Sequence, residues 1–406
     1  MQTLLERPSL WLIILIVALP QLSETIYTPS LPDIAHALRT SDSMVEYTLT
    51  IFLFGFAVGV LLWGNLSDRI GRRPALLMGL LIYLLGCIGC WFSTNITMLM
   101  VCRFIQAFGG STGSVLGQAI ARDSFKSHER GKVFSTIAIA LSCAPALGPI
   151  IGGFTDQYFG WTAVFIVLFI LGSYTISQVF LKLPETNKML KKTNARDLIK
   201  GATTVLTDKR VLSFGFLVGT ANGILFSLYS EAPFYMIEML GLTPGEYGSL
   251  YFFIGVTFIA GGWLSRSLNI RKYTQETLLL IGNAIIFCGV SIWTVCAYIG
   301  FIDISYGTAS VILTMGLFGI LFFGIALILP NALSHALEDY SHMAGTAASL
   351  FGFYYYILVS VMTFGMGFFH DGTVIPMPLY FSVLSLSMCF VSYFGLRKSK
   401  IVLNAA

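Results

Sequence analysis

At 406 residues, 56% hydrophobic and only 11% charged, the chain is too apolar for a water-soluble globule and too long for a single buried core. Its formal charge of +4 is scattered through short polar breaks, which leaves no contiguous basic face for a nucleic acid. A helix crosses a bilayer with roughly 20 apolar residues, and runs of that length recur from end to end, so an all-α membrane protein is expected.

Twelve spans are read in chain order, near 9–32, 45–65, 75–93, 97–121, 133–155, 161–181, 211–231, 247–267, 276–298, 307–330, 344–369 and 377–396. The first run outlasts a signal-peptide core and continues into LPQLSETIYTPSLP without a small-residue cleavage site, so it is expected to stay as span 1. Arg69, Arg72, Arg73, Arg122, Lys126, Arg130, Lys132, Arg266, Arg271, Lys272, Arg397, Lys398 and Lys400 fall on one side, with Arg39 alone opposite. Short cytoplasmic loops retain such bases, which puts both termini in the cytoplasm. The seven cysteines all lie inside spans; Cys87 and Cys90 have redox-motif spacing but no acidic or histidine neighbour, and ordinary packing is expected.

The one long polar break, 182–210, separates a first six-span half (1–181) from a second (211–406). Within it Leu198, Ile199, Ala202, Val205 and Leu206 share one helical face beside Lys200 and Lys209, which suits either a short helix on the anionic membrane surface or a flexible basic tether. GNLSDRIGRR from Gly64 is echoed by GWLSRSLNIR from Gly262, each after the second span of its half. Gly71 corresponds to Asn269, and both residue types accept a left-handed turn. Two six-helix halves related by duplication are a transporter architecture, with substrate bound between them near the midplane.

In GNLSDRIGRRP, Gly64 allows close helix approach, Asp68, followed by Arg69, can cap a helix, Gly71 reverses the chain, and Arg72 and Arg73 hold the turn in the cytoplasm. An aspartate in so basic a loop implies a specific partner, and the candidates are Arg122 and the N-terminus of the eleventh span. The stretch resembles motif A of the major facilitator superfamily, in which the Asp serves as a conformational latch. RFIQAFGG, 103–110, resembles motif B through Arg103 and Gln106, and APALGPIIGG, 144–153, resembles the antiporter motif C with Pro145, Gly148, Pro149, Gly152 and Gly153. With YTPSLPDIA in span 1 and LPET after span 6, the chain most resembles the Bcr/CflA branch of drug:proton exporters. That resemblance implies twelve helices in two halves, alternating access, and an acid in span 1 as proton carrier. Independently, Ala140, Ala144, Gly148 and Gly152, like Gly109, Gly113 and Gly117, form small-residue lines along which helices can touch; close packing and sealing against leaks are both consistent with them.

A charge inside the bilayer costs roughly 2.5–3.5 kcal/mol on insertion scales, so buried ionisable residues mark function by default. Glu24 and Arg103 come at similar depth from the outer face and can meet. Desolvation favours a neutral carboxyl and a nearby cation the charged one, so Glu24 is the expected proton carrier, with Arg103 as partner or as a structural charge. Asp33 is a second proton candidate or a helix cap, and Glu231 a rim residue. Glu24, Tyr27, Gln106, Asn222, Tyr229 and Tyr355 are the expected substrate contacts, aromatics there suiting a lipophilic or cationic ligand. No cofactor, metal set or nucleophile constellation is recognisable, which argues against an enzyme. The expectation is therefore a monomeric proton-coupled exporter of small organic molecules in the cell inner membrane, in contact with lipid. The alternative is a proton symporter taking up a nutrient or siderophore.

Overall fold

The computed structural model describes residues 7–187, 195–302 and 307–395. Arg397, Lys398 and Lys400, counted above for orientation, lie outside these residues. Among the described residues the fold is entirely helical. The first half comprises α1 (Leu10–Thr25), α2 (Leu31–Leu38), α3 (Asp42–Ile70), α4 (Arg72–Trp91), α5 (Ile96–Ser124), α6 (Ser127–Phe159) and α7 (Trp161–Lys182). After α8 (Ala195–Thr207), the second half comprises α9 (Lys209–Pro233), α10 (Pro244–Ile270), α11 (Gln275–Tyr298), α12 (Thr308–Ala336), α13 (Ala344–Phe369) and α14 (Pro376–Phe390).

Eleven described helices, α1 and α2 counted as one, are long and apolar enough to cross a membrane. The remaining long helix is α5, at 29 residues, whose hydropathy is diluted by Arg103, Gln106 and a series of Gly, Ser and Thr residues. That composition suits its place, because α5 packs between α3 and α4 and against α1. Helices start where the apolar runs meet a capping side chain: Ser9 accepts from Leu12 N–H, Asn95 from Met98 N–H, Asp208 from Arg210 N–H and Thr274 from Thr277 N–H. Several extend well past the apolar cores read from sequence, α3 to Ile70 and α12 to Ala336 among them.

The first span differs from the uninterrupted helix expected over 9–32. It breaks after Thr25 into a single 3-10 turn, Thr28–Ser30, before α2 resumes. Pro29 and Pro32 supply no N–H, and Thr25 and Thr28 hydroxyls donate to the carbonyls of Gln21 and Thr25, so groups freed by the break are partly satisfied within the segment. A second correction concerns the repeat. Asn269 remains inside α10, and the left-handed residue of that turn is Lys272, at φ 60°. Asn269 is retained in the helix by its amide, which donates to Ser265 O and to Asn331 Oδ1.

The linker is helical over Ala195–Thr207, and α8 lies on α13 and α9, with Val205 fully buried. Its apolar face is thus turned at least partly to protein; the side chains of Leu198, Ile199 and Lys200 are outside the description. The two halves meet along α3 with α13 and α6 with α10.

Candidate functional site

The end of the molecule carrying Arg72, Arg73 and Arg122 is called here the basic side, and the end carrying Asp33, Asp42, Glu46, Asp156 and Glu231 the acidic side. Between them, Glu24 sits in the last turn of α1, 2% exposed, with no hydrogen bond at Oε1. Arg103 of α5 is fully buried nearby, and its charge acts on Glu24, but the two form no direct ion pair within 4.0 Å. The guanidinium is sandwiched instead. Its carbon lies 3.9 Å from the Tyr27 ring centroid and 4.0 Å from that of Phe52. Nη1 donates to Gln106 Oε1 at 2.6 Å, and both Nη atoms reach Ser23 O at 3.4 Å. Gln106 passes the chain on to Cys87 Sγ at 3.1 Å. A cation removed from water is thereby solvated by two aromatic faces and fixed dipoles.

Tyrosines from the second half close over Glu24. Tyr229 of α9 and Tyr355 and Tyr356 of α13 all lie within electrostatic reach of its carboxyl. Tyr229 stacks on Tyr251 and donates to Pro145 O at 3.4 Å across the two halves. That carbonyl is available because Pro149, four residues on, has no N–H to give it. Gly152 brings the same helix against α1: a Cβ there would collide with Ile26 O. Gly148 meets Thr25 in the same way, and Gly153 meets the Pro244 carbonyl of α10.

At the basic side the α3–α4 corner turns on Gly71, at φ 103°. Asp68 pairs with Arg72 at 2.7 Å, and Arg72 also reaches Asp123 at 3.2 Å and Ser67 Oγ at 2.6 Å. Glu185, from the LPET stretch after α7, accepts from the backbone N–H of Arg72 at 2.9 Å and of Arg73 at 3.1 Å. It caps α4, and Arg73 donates to Phe180 O at 2.7 Å. The corner touches the second half through Gly64, where an added Cβ would stand 3.7 Å from Ser349 Cβ. A cavity of about 590 Å³ opens beside it, lined by Trp63, Leu66, Arg69, Phe108, Ala202 and Leu350.

The acidic side holds a cluster drawn from both halves. His370, just past α13, places Nδ1 3.0 Å from both carboxylate oxygens of Glu231 in α9 and 3.4 Å from Glu46 Oε1 in α3. Its Nε2 lies 3.4 Å from Asp42 Oδ2. Hydrogen bonding to Glu231, opposed by burial, keeps the imidazole pKa above its ordinary 6.5. Ser230 donates to Glu46 Oε2 at 3.1 Å, and His36 meets Glu238 at 3.2 Å in a further contact between halves. Nearby, Asp156 is 2% exposed beside Asp33, and neither of its carboxylate oxygens has a hydrogen bond.

The family model described as Major Facilitator Superfamily matches residues 13–363. The chain belongs to that superfamily. It is a multi-pass membrane transporter of the inner membrane in bacteria, not an enzyme, and among the described residues it has twelve long helices in two halves. An "Uncharacterized transporter" of Rickettsia bellii is 35% identical over 386 residues, 95% of each chain. A "Bicyclomycin resistance protein homolog" of Haemophilus influenzae is 32% identical over 338 residues, 82% of each. The partially occluded, inward-open structure of the xylose transporter XylE from E. coli superposes with TM-score 0.71 at 14% identity, covering 95% of this chain and 96% of the other. The Haemophilus relative agrees with the Bcr/CflA-like branch expected from the motifs.

Within this facilitator fold, Glu24, Arg103, Gln106 and Tyr27 lie close together, and Tyr229 and Tyr355 approach from the other half. Tyr27 is packed under Arg103 with its hydroxyl 3.1 Å from Thr48 Oγ1, so it is a buried support for the cation. Asn222 is half-buried and its amide donates back to Val218 O. Asp33 is exposed in the first turn of α2, beside Asp156. Asp68 meets neither partner expected of it: Arg122 lies 4.0 Å from Asp123, and Asp68 takes the nearer Arg72, one helical turn along. Sequence reasoning missed Glu46, Asp156, Glu185 and His370. For Glu46 a signal was present, since it stands inside the second expected span.

Proposed function

We propose that this transporter exports small organic molecules in exchange for protons, with Glu24 as the proton carrier and a single chain as the working unit. The carrying observation is the buried Glu24 carboxyl of the first half, free of hydrogen bonds at Oε1, beneath tyrosines of the second half and within reach of the Arg103 charge. Away from water and outside ion-pair distance, such a carboxyl is held at least cost as the neutral acid. Rocking the halves apart would expose it, and a lipophilic or cationic substrate among the tyrosines would then displace the proton. The positive-inside bias assigns the basic side to the cytoplasm, so the acidic side, held by cross-half contacts in this conformation, faces out.

Antiporter-type residues Pro145, Gly148, Pro149, Gly152 and Gly153 support exchange, and the name of the Haemophilus relative supports drug-like cargo. The test uses purified protein in liposomes containing a pH-sensitive dye, with an imposed pH gradient and a panel of lipophilic cations, neutral antibiotics and siderophores. Substrate-dependent proton movement opposite to the substrate, abolished in Glu24→Gln, is expected. Protons and substrate moving together would overturn export in favour of uptake, and undiminished exchange by Glu24→Gln would remove Glu24 from coupling.

A further inference from the structure

The His370 cluster has a composition that packing between halves does not require. Glu46 is fully buried and Glu231 is 3% exposed, and a third carboxylate, Asp42, stands on the far side of the ring. One imidazole offers a single positive charge and a single Nδ1 to the two buried carboxylates. Nδ1 is engaged by Glu231 at 3.0 Å, which leaves Glu46 Oε1 buried with no hydrogen bond and aimed at the same nitrogen from 3.4 Å. Burying net negative charge without a matching cation is costly.

We propose that Glu46, Glu231 and His370 form a binding site for one divalent transition cation of the zinc or cobalt type, which ties the two halves together across the acidic side. Each residue offers one ligand atom, and these atoms all lie within 4.8 Å of one another, so a small side-chain adjustment brings all three to coordination distance. One imidazole nitrogen and two carboxylates are a donor set that borderline cations take, leaving a fourth position for water. The surrounding bonds fit that role. With Nδ1 toward the metal, Nε2–H points at Asp42 Oδ2, 3.4 Å away, the arrangement by which a carboxylate fixes a ligating imidazole. Ser230 holds Glu46 Oε2 at 3.1 Å and leaves Oε1 for the cation. Glu46 belongs to the first half and the other two ligands to the second, so the metal would be a clamp as well as a ligand.

The first measurement is Co²⁺ titration of the full chain in detergent, stripped of metal and of any affinity tag, followed by visible absorption. One saturable site per chain is expected, weakened more than a hundredfold in His370→Gln and in Glu231→Gln, and 10- to 100-fold in Asp42→Asn. His36→Gln, altered at the exposed neighbouring pair, should retain it. Absence of saturable binding, or equal binding by wild type and His370→Gln, would overturn the site. X-ray absorption of the Zn²⁺-loaded wild type needs no variant to fold: a nitrogen and oxygen shell supports the site, and a sulfur shell, which would assign the metal to cysteines, refutes it. The clamp rests on the alternating access proposed above and is read separately. External Zn²⁺ should slow wild-type exchange at least tenfold and leave His370→Gln flux unaffected; unimpaired wild-type flux with Co²⁺ binding intact would refute the clamp alone.

Discussion

Removing the Glu185 carboxylate tests whether the α3–α4 corner is built by a cap from outside its own motif. In Glu185→Ala two backbone donors at the start of α4 lose their acceptor. Arg72 is 8% exposed, so its N–H is left without a partner largely out of water, at about 1–3 kcal/mol. Arg73 is half-exposed and its N–H recovers a water, which limits that loss to roughly 0.5 kcal/mol. The expected destabilisation is therefore about 1.5–3.5 kcal/mol. Glu185→Gln keeps one oxygen for one donor and should cost roughly half as much. Reversible unfolding in mixed micelles, monitored by far-ultraviolet circular dichroism, gives both values. An alanine variant within about 0.5 kcal/mol of wild type would refute the cap, and equal losses in the two variants would refute the two-donor account.

Three more outcomes follow from the same geometry. Tyr229→Phe should destabilise by about 0.5–1 kcal/mol in wild type but by almost nothing in a Pro149→Ala background, where the restored N–H occupies the Pro145 carbonyl; a double-mutant cycle with no coupling would count against that account. Arg103→Lys, which loses the planar stack on Tyr27 and Phe52 and the fork to Gln106 and Ser23, should cost about 2 kcal/mol in unfolding and lower substrate flux, and unchanged stability would show that the sandwich contributes little. Gly152→Ala, which drives a methyl at the Ile26 carbonyl, should cost about 1–3 kcal/mol, whereas the same change at Gly262, with open space around it, should fall within about 0.5 kcal/mol.

Much of this architecture was legible in the sequence because a bilayer leaves few options: long apolar runs become helices, and a duplicated motif announces two halves. Glu24 and Arg103 were found because ionisable residues in mid-membrane are few. The break after Thr25 was not legible, since Ile26 and Tyr27 continue the apolar run and the hydroxyl bonds that stabilise the break depend on the folded backbone. Glu46 and His370 lie 324 residues apart; Glu46 alone stood inside an expected span, His370 just past one, and only the packing of α3 against α13 brings them together. Glu185 escaped notice for a similar reason. LPET marks a lineage, but its purpose is defined by the helix whose start it meets.

The two corners descending from the repeat have diverged in kind. In the first half the turn is held by Asp68, Arg72, Asp123 and Glu185, all charged. At the corresponding place in the second half, Asn269 donates to Asn331, Asn331 to Ser265, and Gln275 to Asn269, all neutral. Ionic strength should therefore weaken the Asp68–Arg72–Asp123 contacts and hardly alter the amide contacts of Asn269, Asn331 and Gln275, because screening acts on charges and hardly on amide dipoles. Two corners of similar sequence thus differ in what they answer to, the first to the ions bathing that side of the membrane and the second to the packing of its amides.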